Sequence, residues 1–435
     1  MILRAALLDT PTGDSLRFIE DGIIVIDDDG CIERAGQASD ILSTALLENH
    51  QSVELPEGIR PVCVPGLIDL HTHLPQYPVV ARREDSLLPW LERHIFPQEL
   101  EFQGPGQHLM IEAFFDELAR NGTTTAVIYA AIWEDSTDLA FEIARDRGLR
   151  VIIGKVMMDE GSYGQSMPAE ARRRSMEETR RLVEKWHGQS DGMLEFAVSP
   201  RFAVTCSAEL MTDAAALAAE FDTYIQTHLS ENTDEVETVR QRFPEADSYT
   251  DVYARNKMLT PRTLLGHAIH LSDAEIAAIA GAEAAVAHCP TSNFFLNSGL
   301  CPVNRLLAAG VRIGLGSDVA GGPELNLWQV MRSAIETQQA RAFADDSVPL
   351  LTPAQVFHFA TSGGAAALGK QDLIGSLDSG KDADLLVLDL NQVLPLNGRF
   401  TGPLDGEQTL SALVYRGQPH ATVRTLVKGH EIQSA

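Results

Sequence analysis

The sequence predicts an α/β protein: a (β/α)8 TIM barrel with a small β-sandwich-like domain assembled from both chain ends. Three observations carry this expectation. Strand-like and helix-like segments alternate with regularity between residues 62 and 369. Eight apolar strand candidates fall in that stretch, at 62–73, 123–130, 150–158, 194–201, 224–229, 263–268, 284–290 and 312–318. The two ends of the chain share a different texture, short alternating runs broken by tight turns.

At the N-terminal end, Gly22-Ile23-Ile24-Val25-Ile26 runs into Asp27-Asp28-Asp29-Gly30 and then Cys31-Ile32-Glu33-Arg34. That is the pattern of a small antiparallel β unit. Asp384–Asp389 and Thr422–Gly429 read the same way. Chain termini often lie close together. Residues 1–61 plus 370–435 are therefore expected to form one β domain, and 62–369 the barrel. Within the barrel each strand precedes a helical stretch with its own start and stop signals. Ser272-Asp273-Ala274-Glu275 is a capping box after the sixth strand. Asn121-Gly122 ends a helix that starts near Gln107. The Ala-rich piece 214–219 is a good helix former. Eight β-α units point to a closed barrel; an open doubly wound sheet is the competing arrangement.

The chain has 435 residues, 44% of them hydrophobic, which is ample for a large core. No window approaches 18 uninterrupted apolar residues, so no transmembrane helix is expected. The stretch Met1–Asp9 meets charge too early for a secretory signal, and a cytoplasmic protein is expected. Lys and Arg total 34 against 61 Asp and Glu, a net charge of -27. Such a surface repels nucleic acid and anionic membranes and leaves a small neutral substrate open. Five cysteines are scattered without a Cys-x-x-Cys pair, consistent with reduced core thiols.

Barrel enzymes place their chemistry at the C-terminal ends of strands. The first strand ends in Asp69-Leu70-His71-Thr72-His73, and period-2 alternation points both histidines the same way. The fifth ends in His228-Leu229-Ser230-Glu231, the sixth in Gly266-His267, the eighth in Gly316-Ser317-Asp318. A lone strand-end His is more often structural, but four coincidences at one rim are not. His71, His73, His228 and Asp318 would supply three nitrogens and one oxygen to a metal such as zinc, leaving a position for water. Zinc lowers the pKa of its water to roughly 7.

Glu231, three residues past His228, is placed to take the water's proton and pass it to a ring nitrogen. A carboxylate favoured by a helix N-terminus is its structural alternative. His267 is a candidate to polarise the attacking water, and Asp318 a second candidate base. Lys155 falls within the third strand, so no bridging lysine for a second metal is expected. Arg201 and Gln76 suit a heterocycle edge bearing carbonyl and ring nitrogens, with Phe202 against the ring; a surface salt bridge and a core Phe compete with that reading. Trp90 and Trp133 follow the first two strands, where loops cover the pocket; core packing is the expectation for each. Gly375-x-x-x-x-Gly380-Lys381 is no phosphate loop, because Asp382 replaces the required hydroxyl and no strand precedes it. Cys289-Pro290 lacks the rest of the cytidine-deaminase signature.

Several longer runs carry a resemblance. They are Pro65–Tyr77 (PGLIDLHTHLPQY), Asn121–Thr125, Gly154–Asp159 (GKVMMD), Pro200-Arg201-Phe202, His228–Glu235 (HLSENTDE), Ala287–Asn293 (AHCPTSN) and Gly314–Asp318. With them the sequence resembles the amidohydrolase superfamily and is similar, within it, to the guanine deaminases. The resemblance implies one zinc per chain, or iron in its place, held by His71, His73, His228 and Asp318. It implies Glu231 as proton shuttle and His267 beside the water, with Gln76, Arg201, Phe202, Glu231 and Asp318 facing the purine. Hydrolysis of guanine to xanthine and ammonia is implied, usually by a homodimer. Some relatives carry a His where this chain reads Ile132-Trp133-Glu134, so no role is carried over there. A related ring such as 8-oxoguanine or a pterin is the near alternative. A non-catalytic interaction protein is the distant one, disfavoured because every ligand and shuttle position is filled.

Overall fold

The structure, a computed structural model, describes residues 1–13, 15–43, 46–47, 50–161, 167–399 and 401–432. Along the chain the strands are β1 (Ile2–Thr12), β2 (Ser15–Ile26), β3 (Ile32–Gln37), β4 (Pro61–Pro65), β5 (Leu67–His73), β6 (Thr123–Tyr129), β7 (Arg150–Gly154), β8 (Val156–Met157), β9 (Leu194–Pro200), β10 (Tyr224–Leu229), β11 (Thr263–His267), β12 (Ala285–His288), β13 (Arg312–Leu315), β14 (Leu385–Asp389), β15 (Thr422–Val427) and β16 (His430–Glu431). The chain divides into two compact units, Met1–Asp69 with Asp116–Thr125 and Asn326–Ala435, and Leu70–Phe115 with Ala126–Leu325.

The first unit is built on a seven-stranded sheet in the order β16-β15-β14-β4-β1-β2-β3, drawn from both chain ends. It is not wholly antiparallel: β1 and β4 run parallel, with Ala6 opposite Val62 and Leu7 opposite Cys63. One face carries a core of Leu3, Leu7, Ile24, Ile26, Leu385 and Val387. Gly30 closes the β2–β3 turn at φ +80°, a backbone conformation that costs glycine nothing. The expected strand 62–73 is a correction, because it is two strands broken at Gly66. β4 belongs to the seven-stranded sheet and β5 to the barrel. The Gly66 N–H donates to Asp384 O at 2.9 Å, and a side chain at Gly66 would run into Thr124. Apolar composition is continuous across the break, so it left no mark on periodicity.

The eight parallel barrel strands follow the order β5-β6-β7-β9-β10-β11-β12-β13, with β8 paired to β9. The ring closes just past β13, where Asp318 N–H donates to His71 O at 2.7 Å and His73 N–H to Val319 O at 3.1 Å. Those bonds decide for a barrel over an open sheet. Every residue of β6, β7 and β10 is buried, as expected of a parallel sheet covered on both faces. The expected strand 150–158 is interrupted at Lys155, which is fully buried and pairs with Glu178 at 3.3 Å. Local signals set the connecting helices. Ser272 and Glu275 form a reciprocal capping box, Gly122 stops the helix His108–Arg120 at φ +81°, and the Ala-rich piece lies inside the helix Ala208–Phe221.

Candidate active site

Parallel pairing puts strand ends side by side, and the registers here set His228 beside Gly266 and Leu229 beside His267. His71 and His73 leave β5 on the same face, and Asp318 follows β13 by three residues. Their ligand atoms converge. His73 Nε2 lies 3.2 Å from His71 Nε2 and 3.2 Å from His228 Nε2, and Asp318 Oδ1 is 3.1 Å from both His71 and His73. Ligand atoms of His71, His228, His267 and Asp318 lie within 4.8 Å of one another. Five buried side chains thus meet at one point. Ser230, His267, Ala268 and Asp318 all take positive φ there, a strained backbone that clusters where side chains must be aimed.

The electrostatics suit a cation. Burial pulls the imidazoles of His71 and His228 below their usual range and His73 down to about 3. They are therefore neutral, with lone pairs available. His228 donates its Nδ1–H to Arg201 O at 2.8 Å, which leaves Nε2 as the free lone pair. Burial opposes charge on Asp318, but His267, His71 and His73 outweigh it and hold the carboxyl well below the usual range. The His228 tautomer turns its Nε2 lone pair to within 3.2 Å of His73 Nε2, which is itself 3.2 Å from His71 Nε2, a spacing that a shared cation satisfies. Three neutral imidazoles and one carboxylate are the donor set of a divalent transition metal, and they fit one here.

Beside this cluster stand Glu231 and His267. Burial pushes the Glu231 carboxyl up to about 7. His267 is pulled down by burial, yet Glu231, Asp318 and Asn293 carry it above its usual value. The His267 Nε2 lies 3.4 Å from Glu231 and 3.6 Å from Asp318. Its Nδ1 meets Asn293 Oδ1 at 2.8 Å, so Nδ1 bears the proton. Glu231 also accepts from Ser298 Oγ at 3.1 Å. It precedes Asn232, the N-cap of the helix Thr233–Arg242, and so lies outside the helix. The cap is reciprocal: Glu235 accepts from the N–H groups of Glu231 and Asn232, and from Tyr249 Oη at 2.8 Å.

A pocket opens from the cluster, lined by Gln76, Trp90, Arg201, Phe202, Glu231 and His267 among others. Arg201 and Phe202 are both buried, which removes the surface-salt-bridge alternative for Arg201. The ring of Phe202 stands edge-on to His228, with centroids 6.2 Å apart. Trp90 lines the pocket, whereas Trp133 does not; its indole donates to Glu99 O and Leu100 O. Inspection of strand ends missed Glu99, which accepts from both Arg201 and Gln76. Only one signal pointed to it: a buried guanidinium needs a carboxylate partner, and nothing in the sequence says which one. Asn293 was within reach of motif reading but carried no assigned role.

The amidohydrolase family model matches residues 62–432. The chain belongs to the amidohydrolase family. Its relatives include a guanine deaminase of Escherichia coli (strain K12), 33% identical over 423 residues, covering 95% of this chain and 92% of that one. A guanine deaminase of Dictyostelium discoideum is 36% identical over 378 residues, covering 85% and 82%. Among solved structures, a guanine deaminase from C. acetobutylicum with bound guanine in the active site superposes with a TM-score of 0.90 at 29% identity, covering 99% of both chains.

Proposed function

We propose that this amidohydrolase hydrolyses guanine to xanthine and ammonia, with zinc held by His71, His73, His228 and Asp318. The observation that carries the reading is the juxtaposition of a neutral N3O donor set with a buried carboxyl poised near neutrality, Glu231 at about 7. Relatives named guanine deaminase, matching over most of the chain, supply the ring. When bound, the ion acidifies a water and so supplies a nucleophile at neutral pH.

The chain's own residues do the rest. Glu231 takes a proton from the water and delivers it to the ring nitrogen beside the amino-bearing carbon. His267, with its proton fixed on Nδ1 by Asn293, keeps Nε2 turned toward Glu231 and Asp318. Asp318 stays ionised and is the second base. Gln76 and Arg201 orient the ring, and Phe202 packs against it. The bond broken is carbon to amino nitrogen, and one water is consumed for each ammonia released.

The same reading takes the protein as a cytoplasmic homodimer, with residues 1–61 and 370–435 as a β domain and 62–369 as the catalytic barrel. The sheet drawn from both chain ends supports that division, although residues from Asn326 onward cluster with the sheet. Among the described residues no helix is long and apolar enough to cross a membrane. The test is turnover by zinc-loaded protein of guanine, 8-oxoguanine and a pterin, ranked by kcat/KM, with ammonia and xanthine as products. Guanine should lead the panel, and absence of guanine turnover with a full metal site sinks the proposal.

A further inference from the structure

Glu99 lies on the short helix Phe96–Glu101, far in sequence from every strand end, yet it is only 2% exposed. One carboxylate oxygen accepts from Arg201 at 2.5 Å and the other from Gln76 Nε2 at 2.9 Å. The amide oxygen of Gln76 accepts from the Ala320 N–H at 3.2 Å. A backbone N–H only donates and a carboxylate only accepts, so the Gln76 amide has a single orientation. Its oxygen is turned to the backbone, and its remaining hydrogen is a donor. Arg201 has nothing but donors. The guanidinium also lies over the Phe96 ring at 5.1 Å, and the indole of Trp133 donates to the Glu99 and Leu100 carbonyls at 3.2 and 3.1 Å. Glu99 is therefore held from behind while it holds both groups in front.

We propose that Glu99 is a specificity-determining positioning residue that locks Gln76 and Arg201 as a donor-only reader, selecting neutral rings that present a carbonyl and rejecting those with an amine there. The inference rests on the deaminase reading for its reaction, but not for its hydrogen-bond pattern. Guanine offers O6 as an acceptor, whereas an exocyclic amine at that position is a donor. A donor facing a donor leaves both unpaired in a buried site, and sites of this kind discriminate by about 10⁴-fold. The neutral isostere Glu99→Gln puts a donor in place of one acceptor, so it cannot hold both partners as Glu99 does; Gln76 is then oriented by the Ala320 N–H alone, and its amide can turn over.

Two rings that share the reacting 2-amino group, guanine and 2,6-diaminopurine, make the test. In zinc-loaded Glu99→Gln, kcat/KM for guanine should fall about 30- to 100-fold, mostly through KM, as expected for lost uniform binding. The value for 2,6-diaminopurine should move by less than about 3-fold, collapsing the selectivity ratio at least 10-fold. Equal losses on both rings, as a general structural defect would give, overturn the inference.

Trp133→Phe removes the indole donor to the helix carbonyls and keeps a ring in its place, and should lower the ratio by about 3-fold. An unchanged ratio there counts against the inference, including in the case where Glu99→Gln fails to fold. Calorimetric binding of hypoxanthine and adenine, which lack the 2-amino group, separates this inference from the proposed reaction. If the wild type does not turn over guanine yet prefers hypoxanthine, and Trp133→Phe or Glu99→Gln narrows that gap, the reaction falls and the reader stands. A wild type indifferent between those two rings overturns the role of Glu99 whatever it hydrolyses.

Discussion

Replacing Gly266 by alanine perturbs the site by one methyl group, and the consequences follow from distances. A Cβ at that position would sit 2.7 Å from His71 Cε1, 3.1 Å from Nδ1 and 3.4 Å from Nε2. The backbone cannot yield, because Gly266 is paired with His228 on one side and Ala287 on the other. Nor is the imidazole free to swing: it is packed against Tyr129, His228 and His267 with ring centroids at 4.9, 4.7 and 5.3 Å. Restoring an ordinary carbon–carbon contact moves the ring by about 0.8 Å. Displacing a ligand so far should weaken metal binding about 10- to 100-fold, the scale on which disturbed ligand orientation is felt. Turnover should fall about 10²-fold, with overpacking costing about 1–3 kcal/mol of stability. Gly281→Ala is the control, since a Cβ there meets nothing within 4 Å. Chelator competition for zinc, followed by kcat/KM on the reloaded protein, reads the effect. A Gly266→Ala protein with wild-type zinc affinity and turnover within 3-fold would show that His71 is not a tightly packed ligand.

Four further outcomes follow from the same geometry. Glu231→Gln should lose about 10²- to 10⁴-fold in kcat while retaining its ion, the range for removal of a general acid–base; metal analysis alongside kinetics checks both halves. The same variant carries a pH signature in chelated protein. Burial raises the Glu231 carboxyl from 4.5 to about 7, so its contribution to stability is full below about 4.5 and lost as pH rises through about 7. The melting temperature of Glu231→Gln relative to wild type should therefore rise between pH 5 and 8, and a difference flat across that window refutes the shift. Tyr253→Phe removes the donor to His228 O at 2.6 Å and the acceptor for Thr227 Oγ1 at 3.1 Å. It should cost about 1–3 kcal/mol in denaturant unfolding and lower turnover less than any ligand variant. Stripping the metal should lower the melting temperature of the wild type, and titrating zinc back should restore it in proportion to RT ln(1 + [L]/Kd). A melting temperature indifferent to zinc counts against a preformed site.

How much of this is legible in the sequence follows from which interactions are local. His71 and His73 are two residues apart on one strand, so period 2 alone put them on one face. His228, His267 and Asp318 were legible because a barrel gathers strand ends at one rim, and once the strands were identified the rim followed. Gly66 was misread because a strand that leaves one sheet for another keeps its apolar composition; only the Thr124 side chain, far along the chain, forbids anything larger there. Glu99 escaped for a related reason. Its partners, Gln76 and Arg201, lie 23 and 102 residues away, and a helix carrying Glu99 and Glu101 together looks like any solvated acidic surface. Burial separates the two carboxylates, and burial is a property of the fold.

The charge balance within the pocket explains why so acidic a protein suits a neutral ring. Arg201 is cancelled by Glu99 at 2.5 Å, so the reader contributes direction and no net charge. The three imidazoles are neutral, and a divalent ion held there beside the Asp318 carboxylate would leave one positive charge. Glu231 and His267 stand 3.4 Å apart beside it. An anionic ligand must approach through a field set by a net charge of -27. Were Arg201 unpaired, the same pocket would favour carboxylates and phosphates. By pairing with Arg201, Glu99 keeps the reader's charge out of the choice of ligand.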